Sequence, residues 1–128
     1  MTRVNSDNLF GLSKFIVDNV AANGSFTTIQ SAMDAANAAG GGVIYIKGDG
    51  ASYTENLTFY DNIQLIGVNA DGRLPIVVVS GNHFIGDGMT VSLSNIFFTA
   101  GGGAQIFQVS PTVNTTILAI KNCDLLNT

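Results

Sequence analysis

The sequence predicts an all-β fold, a parallel β-helix (solenoid) closed at its N-terminal end by one capping α-helix over about residues 27–39. Three observations carry that prediction. The stretch from Phe26 to Thr58 reads as a capped amphipathic helix, a glycine break, a buried strand, a turn and a second strand, the order in which a parallel solenoid begins. From Ile63 onward, short apolar runs are separated by Gly, Asp, Asn and Ser, and no second helix interrupts them. Finally, a phrase recurs: Val91–Phe98 aligns with Leu118–Leu125, setting Leu93 on Ile120, Asn95 on Asn122, Ile96 on Cys123 and Phe98 on Leu125, each pair 27 residues apart. That period suits one solenoid coil rather than a chain of hairpins, which would show two-residue turns.

At 128 residues the chain is one domain, long enough to bury a core. Residues 1–12 are polar and turn-rich and read as a flexible lead or tether, and residues 13–128 as the capped solenoid. Lys14–Asp18 is a first short strand, followed by a loop over Asn19–Ser25 with Asn23-Gly24 as its turn signal. The helix is expected to start at Thr27, whose hydroxyl takes the Gln30 N–H while the Gln30 side chain returns to the Thr27 N–H, a capping box. Ile29, Ala32, Met33 and Ala36 make its apolar stripe, and Gly40 ends it in the left-handed conformation. Val43–Ile46 is apolar on both faces and reads as a strand covered on both sides. Thr54–Phe59 alternates as a second strand, and Ile63–Gly67 alternates again. Ile76–Val79, Phe84-Ile85, Val91–Phe98, Ile106–Val109 and Ile117–Leu126 continue the series.

Composition excludes several functions. The net charge of −4 arises from single acidic residues set against Arg3, Lys14, Lys47, Arg73 and Lys121, so no basic stripe exists to meet nucleic-acid phosphates. No apolar run approaches the roughly 18 residues of a membrane span, so no membrane insertion is expected. Cys123 is the single cysteine and reads as a small buried apolar side chain. Residues 1–12 lack the pattern of a secretory signal peptide.

The order Gly24-x-Phe26-Thr27-Thr28-Ile29-Gln30-x-Ala32-x-Asp34-Ala35-Ala36, then Gly42–Lys47, then Tyr53–Leu57, then Ile63-x-Leu65-Ile66-Gly67 resembles the opening of pectin methylesterases and the wider pectin-lyase-like superfamily. The likeness covers most of residues 23–128. It implies a right-handed parallel β-helix whose helix hides the first coil from water. It does not imply one function, because this opening is shared by pectin-active enzymes and by phage tail spikes and fibres. In the esterases the coil resembling Ile117–Leu126 is followed by a catalytic Gln and Asp, then by a second Asp and an Arg; the chain ends at Thr128, so none of these residues carries over. Gln105 lies about two positions from where the family has another active-site glutamine and is not transferred. The Gly48–Ser52 bend replaces the family's proline-glycine turn, which favours the tail-protein branch, as do Asn8-Leu9-Phe10 and Glu55-Asn56.

Each candidate site has a plain alternative. Gly40–Gly42 follows a helix C-terminus, the wrong end for an anion, and with Gly101–Gly103 reads as turn chemistry. Asp49, Asp71 and Asp87 sit in tight Asp-Gly turns rather than in a calcium loop, so no metal and no cofactor is expected. Asp71, Asp87 and Asp124 would converge as catalytic carboxylates only through coincidence of coil register. His83, the sole histidine, reads as a turn or rim residue. Tyr53, Phe59 and Tyr60 are candidate glycan-stacking or interface aromatics, against which stands ordinary packing. Asn95 and Asn122 are candidates for an asparagine ladder along the coil axis.

The expected function is therefore non-catalytic: a structural or host-recognition module of a phage-like tail fibre or spike, in a virion or extracellular particle. Runs apolar on both faces point to a homo-oligomer, a trimer favoured, or to other virion proteins, with surface glycan a further partner. Ending on Leu125-Leu126, the last coil is expected to stand uncapped unless a partner or further chain continues it. The alternatives are the N-terminal part of a carbohydrate-active enzyme without its catalytic residues, and a glycan-binding β-helix.

Overall fold

A computed structural model describes residues 13–18, 26–48, 52–69, 72–79, 81–86, 88–100, 105–109 and 116–127. The described chain is mostly β-strand with one short helix, and its strands form parallel sheets, none closed into a barrel. In order come β1 (Ser13–Val17), α1 (Ile29–Ala38), β2 (Gly42–Gly48), β3 (Ser52–Thr54), β4 (Ile63–Asn69) and β5 (Ile76–Val79). These are followed by β6 (Asn82–Ile85), β7 (Thr90–Ser94), β8 (Phe97–Ala100), β9 (Gln105–Val109), β10 (Ile117–Lys121) and β11 (Asp124–Asn127).

The first sheet runs β1-β2-β4-β7-β10, the second β11-β8-β5-β3, and the third pairs β6 with β9. Thr58 extends the third sheet through an isolated parallel bridge to Phe84. The expected 27-residue step is present as strand register: Leu93 pairs with Ile120 and Phe98 with Leu125. Elsewhere the step varies, from 21 residues between Gly42 and Ile63 to 29 between Ser13 and Gly42. From β2 onward, strands that follow one another in the chain lie in different sheets, and each pairs with a strand one step away in sequence; β1 and β2, separated by α1, pair with each other.

Alternation decides what is buried. In the first sheet Ile44, Leu65 and Leu93 form one inward column. Tyr53, Val77 and Phe98 form another in the second sheet. Residues of all three sheets and of α1 share one hydrophobic core. The outward residues Val43, Tyr45, Ile76, Val78 and Phe97 are half-buried, whereas Ile16 and Val68 are exposed. Val43–Ile46 is therefore covered fully on one face only. At the far end of the stack Ile120 and Leu125 are exposed, although their register partners Leu93 and Phe98 are buried.

Two expectations shift. The predicted strand Thr54–Phe59 stops at Thr54, because residues 55–57 turn the chain between sheets; Leu57 and Phe59 still point inward together. The runs Val91–Phe98 and Ile117–Leu126 each split into two strands at Asn95 and Asn122.

The helix spans Ile29–Ala38 rather than 27–39, and its N-cap is Thr28, not Thr27. The Thr28 hydroxyl accepts the Ser31 N–H at 3.3 Å, while the first two helical N–H groups are met by a distant carboxylate, which leaves Gln30 free for another task. The buried stripe is Ile29, Ala32, Met33 and Ala36, as expected. The C-terminus is a Schellman closure: Gly41 N–H donates to Ala36 O at 2.8 Å, Gly40 N–H donates to Asn37 O at 3.0 Å, and Gly40 has φ +89°.

Candidate functional site

The surroundings of α1 hold the densest polar network among the described residues. Local sequence sets the helix start, but one residue, Glu55, 26 positions after Ile29 and 25 after Gln30, completes it. The Glu55 carboxylate accepts the Ile29 N–H at 2.8 Å and the Gln30 N–H at 3.0 Å. A carboxylate there satisfies orphan donors and complements the helix dipole. The Gln30 side chain serves the sheet instead: its Oε1 accepts the Thr58 N–H at 2.8 Å and its Nε2 donates to Thr58 O at 3.1 Å. The amide thus takes the place of a strand on the open edge at Thr58. Gln30 Nε2 and the Tyr60 hydroxyl both donate to Asp34 Oδ1, at 3.0 and 2.7 Å. The Gln30 amide, then the Tyr60 hydroxyl, hold the Asp34 carboxyl below its ordinary pKa, and that bond raises the Tyr60 hydroxyl.

Glu55→Ala is accordingly expected to lose about 1–2 kcal/mol of stability, the size of a lost N-cap with charge-assisted bonds. Glu55→Gln, which keeps an acceptor, is expected to lose about half of that. Urea denaturation followed by helical circular dichroism checks both, and equal wild-type midpoints for the two variants would show that the carboxylate does not hold the helix.

A second feature is an open groove of about 400 Å³ on the outer face of the first sheet, lined by Lys14, Ile16, Tyr45, Lys47, Val68 and Asn69. Its floor is apolar, and Lys47 on its rim pairs with the buried Asp18 at 3.3 Å. A smaller groove of about 230 Å³ has a more polar lining that includes Asn62, Gln64, Thr90 and Ser92. The outer face of this sheet therefore changes character along the stack, from apolar near α1 to hydroxyl- and amide-bearing beyond β4.

The proposed aromatic surface does not exist as one patch. Tyr53 is 3% exposed, with its hydroxyl donating to Lys47 O at 3.0 Å, and Phe59 is fully buried. Both occupy inward positions of their strands or corner, and only Tyr60 is half-exposed, engaged with Asp34. Asn95 and Asn122 sit in equivalent corners one step apart. Their shared property is a left-handed backbone, with φ +58° and +54°, which asparagine tolerates better than most residues. The Asn95 N–H donates to Lys121 O at 3.2 Å, tying one corner to the next. Thr27 is exposed and makes no cap.

His83 is not a rim residue but lies wholly inside. It is an inward position of β6, its Nδ1 accepts the Leu57 N–H at 3.1 Å, and Phe59, Phe98 and Phe107 surround it. Cys123 is half-buried where its counterpart Ile96 is fully buried, because among the described residues no strand pairs with β10 or β11 on the side away from β7 and β8. Asp49, Asp71 and Asp87, and the glycines at 101–103, lie outside the described residues. Among the described residues no group of three or more His, Cys, Asp or Glu side chains gathers, and Asp124 is exposed.

Glu55 and His83 are the residues whose roles sequence reasoning missed. The 27-residue period held a signal for each. One step back from Glu55 falls on Thr28, and one step back from His83 falls on Asn56, beside Leu57. No protein-family model, curated protein or solved structure matches the chain, so the likeness to pectin-lyase-like proteins rests on the residues quoted for it.

Proposed function

We propose that the chain is a short right-handed parallel β-helix, capped by α1, that serves as a structural or host-recognition module of a phage-like tail fibre or spike and assembles as a homotrimer in a virion or extracellular particle. The observation that carries this reading is the cyclic order of strands. Visits to the first, second and third sheets repeat as β4-β5-β6 and β7-β8-β9, each strand parallel to its predecessor. Three sheets that share one core and are visited in that order support the β-helix reading. The side-chain amide of Gln30 on the Thr58 edge supports α1 as the finished end of the stack.

Trimerisation is supported by the outer face of the first sheet, where Ile16 and Val68 are 54% and 43% exposed beside half-buried Tyr45 and Ile66. Apolar side chains grouped on a sheet face favour contact with another subunit. The glycan-binding alternative loses two of the three aromatics that motivated it, since Tyr53 and Phe59 face inward. Sedimentation equilibrium at micromolar concentration tests the assembly: a trimer is expected, dissociating in Ile16→Asp, and a stable wild-type monomer would overturn it. Release of methanol or cleaved oligosaccharide from pectin by the wild-type chain would overturn the non-catalytic reading.

A further inference from the structure

His83 occupies a site with an unusual imbalance of hydrogen bonds. Its Nδ1 is the acceptor for the Leu57 N–H at 3.1 Å, so the proton of the neutral ring resides on Nε2. That Nε2 is buried and has no hydrogen-bond partner. Its surroundings are aromatic: the Phe98 centroid is 5.6 Å away, Phe107 5.7 Å and Phe59 6.3 Å, two of the three in edge-on geometry.

Leu57 belongs to the short segment that holds the helix. Two residues before it, Glu55 grips the Ile29 and Gln30 N–H groups; one residue after it, Thr58 bonds the Gln30 side chain through both backbone groups. Residues 55–59 therefore form a strap between the core imidazole and the N-terminus of α1. We propose that His83 and this strap are an acid-released latch: a proton taken up by the imidazole detaches residues 55–59 and, with them, the N-terminal end of the capping helix.

The chemistry follows from the geometry. Protonation puts a second N–H on Nδ1, so the acceptor of the Leu57 N–H becomes a donor facing a donor. It also places a cation among phenyl rings. Among the described residues no charged side chain of the packed elements compensates it: β8 and β9 present Phe98 and Phe107, while Glu55 is directed to α1 and Tyr60 to Asp34. Burial alone lowers the imidazole pKa to about 4, against about 6.5 in an opened or unfolded chain. Between those values the open state binds the proton and the closed state does not. The latch is therefore fully closed above about pH 6.5, and opening becomes about tenfold easier for each unit of pH below it, down to about pH 4.

The chain has one histidine, so its imidazole nitrogen signals need no assignment. At neutral pH the Nε2–H tautomer is expected. On acidification the ring should titrate well below pH 6.5, and hydrogen exchange at Ile29, Gln30 and Leu57 should accelerate by about a hundredfold between pH 6.5 and 4 relative to Ile44, Leu65 and Leu93, after correction for intrinsic rates. In Glu55→Gln, which replaces the carboxylate by a neutral amide, the same acceleration must persist. In His83→Phe it must vanish. If His83→Phe does not fold, the wild-type and Glu55→Gln profiles decide the matter. An imidazole that titrates near pH 6.5 with unchanged exchange at the helix N-terminus overturns the latch, as does loss of the acceleration in Glu55→Gln or its survival in His83→Phe.

Discussion

Gly67→Ala is expected to lower folding stability by about 3 kcal/mol or more, read as a large drop in the urea midpoint, at the upper end of overpacking effects. Gly67 sits in an inward column of the first sheet, register partner of Ile46. β4 runs on to Asn69, but the next strand of that sheet, β7, ends at Ser94 and turns at Asn95 over the top of Gly67. A Cβ on Gly67 would stand 1.8 Å from the Asn95 carbonyl oxygen and 2.9 Å from Pro75 Cγ. Neither neighbour gives way readily. Asn95 is tied by its N–H to Lys121 O, and the Phe97 N–H is tied to Pro75 O. Gly72→Ala is the control: with φ +73° and no neighbour within 4 Å, it meets only the backbone penalty of about 1 kcal/mol. Equal midpoints for the two variants would rule out the close crossing of these layers.

Phe98→Ala is expected to lose about 3–5 kcal/mol, the range for a buried phenyl ring replaced by a void. Phe98 is fully buried on β8, with Phe107 at 5.2 Å and His83 at 5.6 Å. It joins the second sheet to the third. Phe84→Ala, at an outward position 40% exposed, should stay within about 0.5 kcal/mol of wild type. The variant also has a second readout. A cavity beside His83 that admits water gives the Nε2–H a partner and weakens the desolvation that depresses the ring, so the imidazole pKa should rise from about 4 toward its ordinary value. A midpoint like that of Phe84→Ala, with the imidazole unmoved, would show that these rings do not pack as one cluster.

Much of the architecture was legible because it depends on local pattern. The buried stripe of α1 follows from the spacing of Ile29, Ala32, Met33 and Ala36, and its end from Gly40. The repeat of Asn95 at Asn122 located two equivalent corners, although the reason lies in a left-handed backbone that each must adopt. The cap was misplaced by one residue because Thr27 and Thr28 are chemically equivalent as N-caps. What separates them is Glu55, which meets the Ile29 and Gln30 N–H groups from the next layer. Likewise, Tyr53 carries a polar handle and His83 an ionisable ring, and both types are intermediate between core and surface, so residue type alone does not place them. Here the Lys47 carbonyl and the Leu57 N–H supply the inward partners.

By itself the sequence determined that this protein is built from short strands with one N-terminal helix, that its repeat is about 27 residues in the second half, and which face of α1 and of the strand at Ile63–Gly67 is apolar. Those properties are written at separations of two to four residues, or in a repeated phrase. Only the tertiary structure decided that Glu55 and Gln30 lock the helix to the first layer, that His83 lies among phenyl rings, and that Gly67 lies beneath the Asn95 corner. The physical reason is that the step between layers is not constant, running from 21 to 29 residues in the first sheet. Contacts between layers depend on that step to the residue, because a shift of one position turns every side chain of a strand to its opposite face.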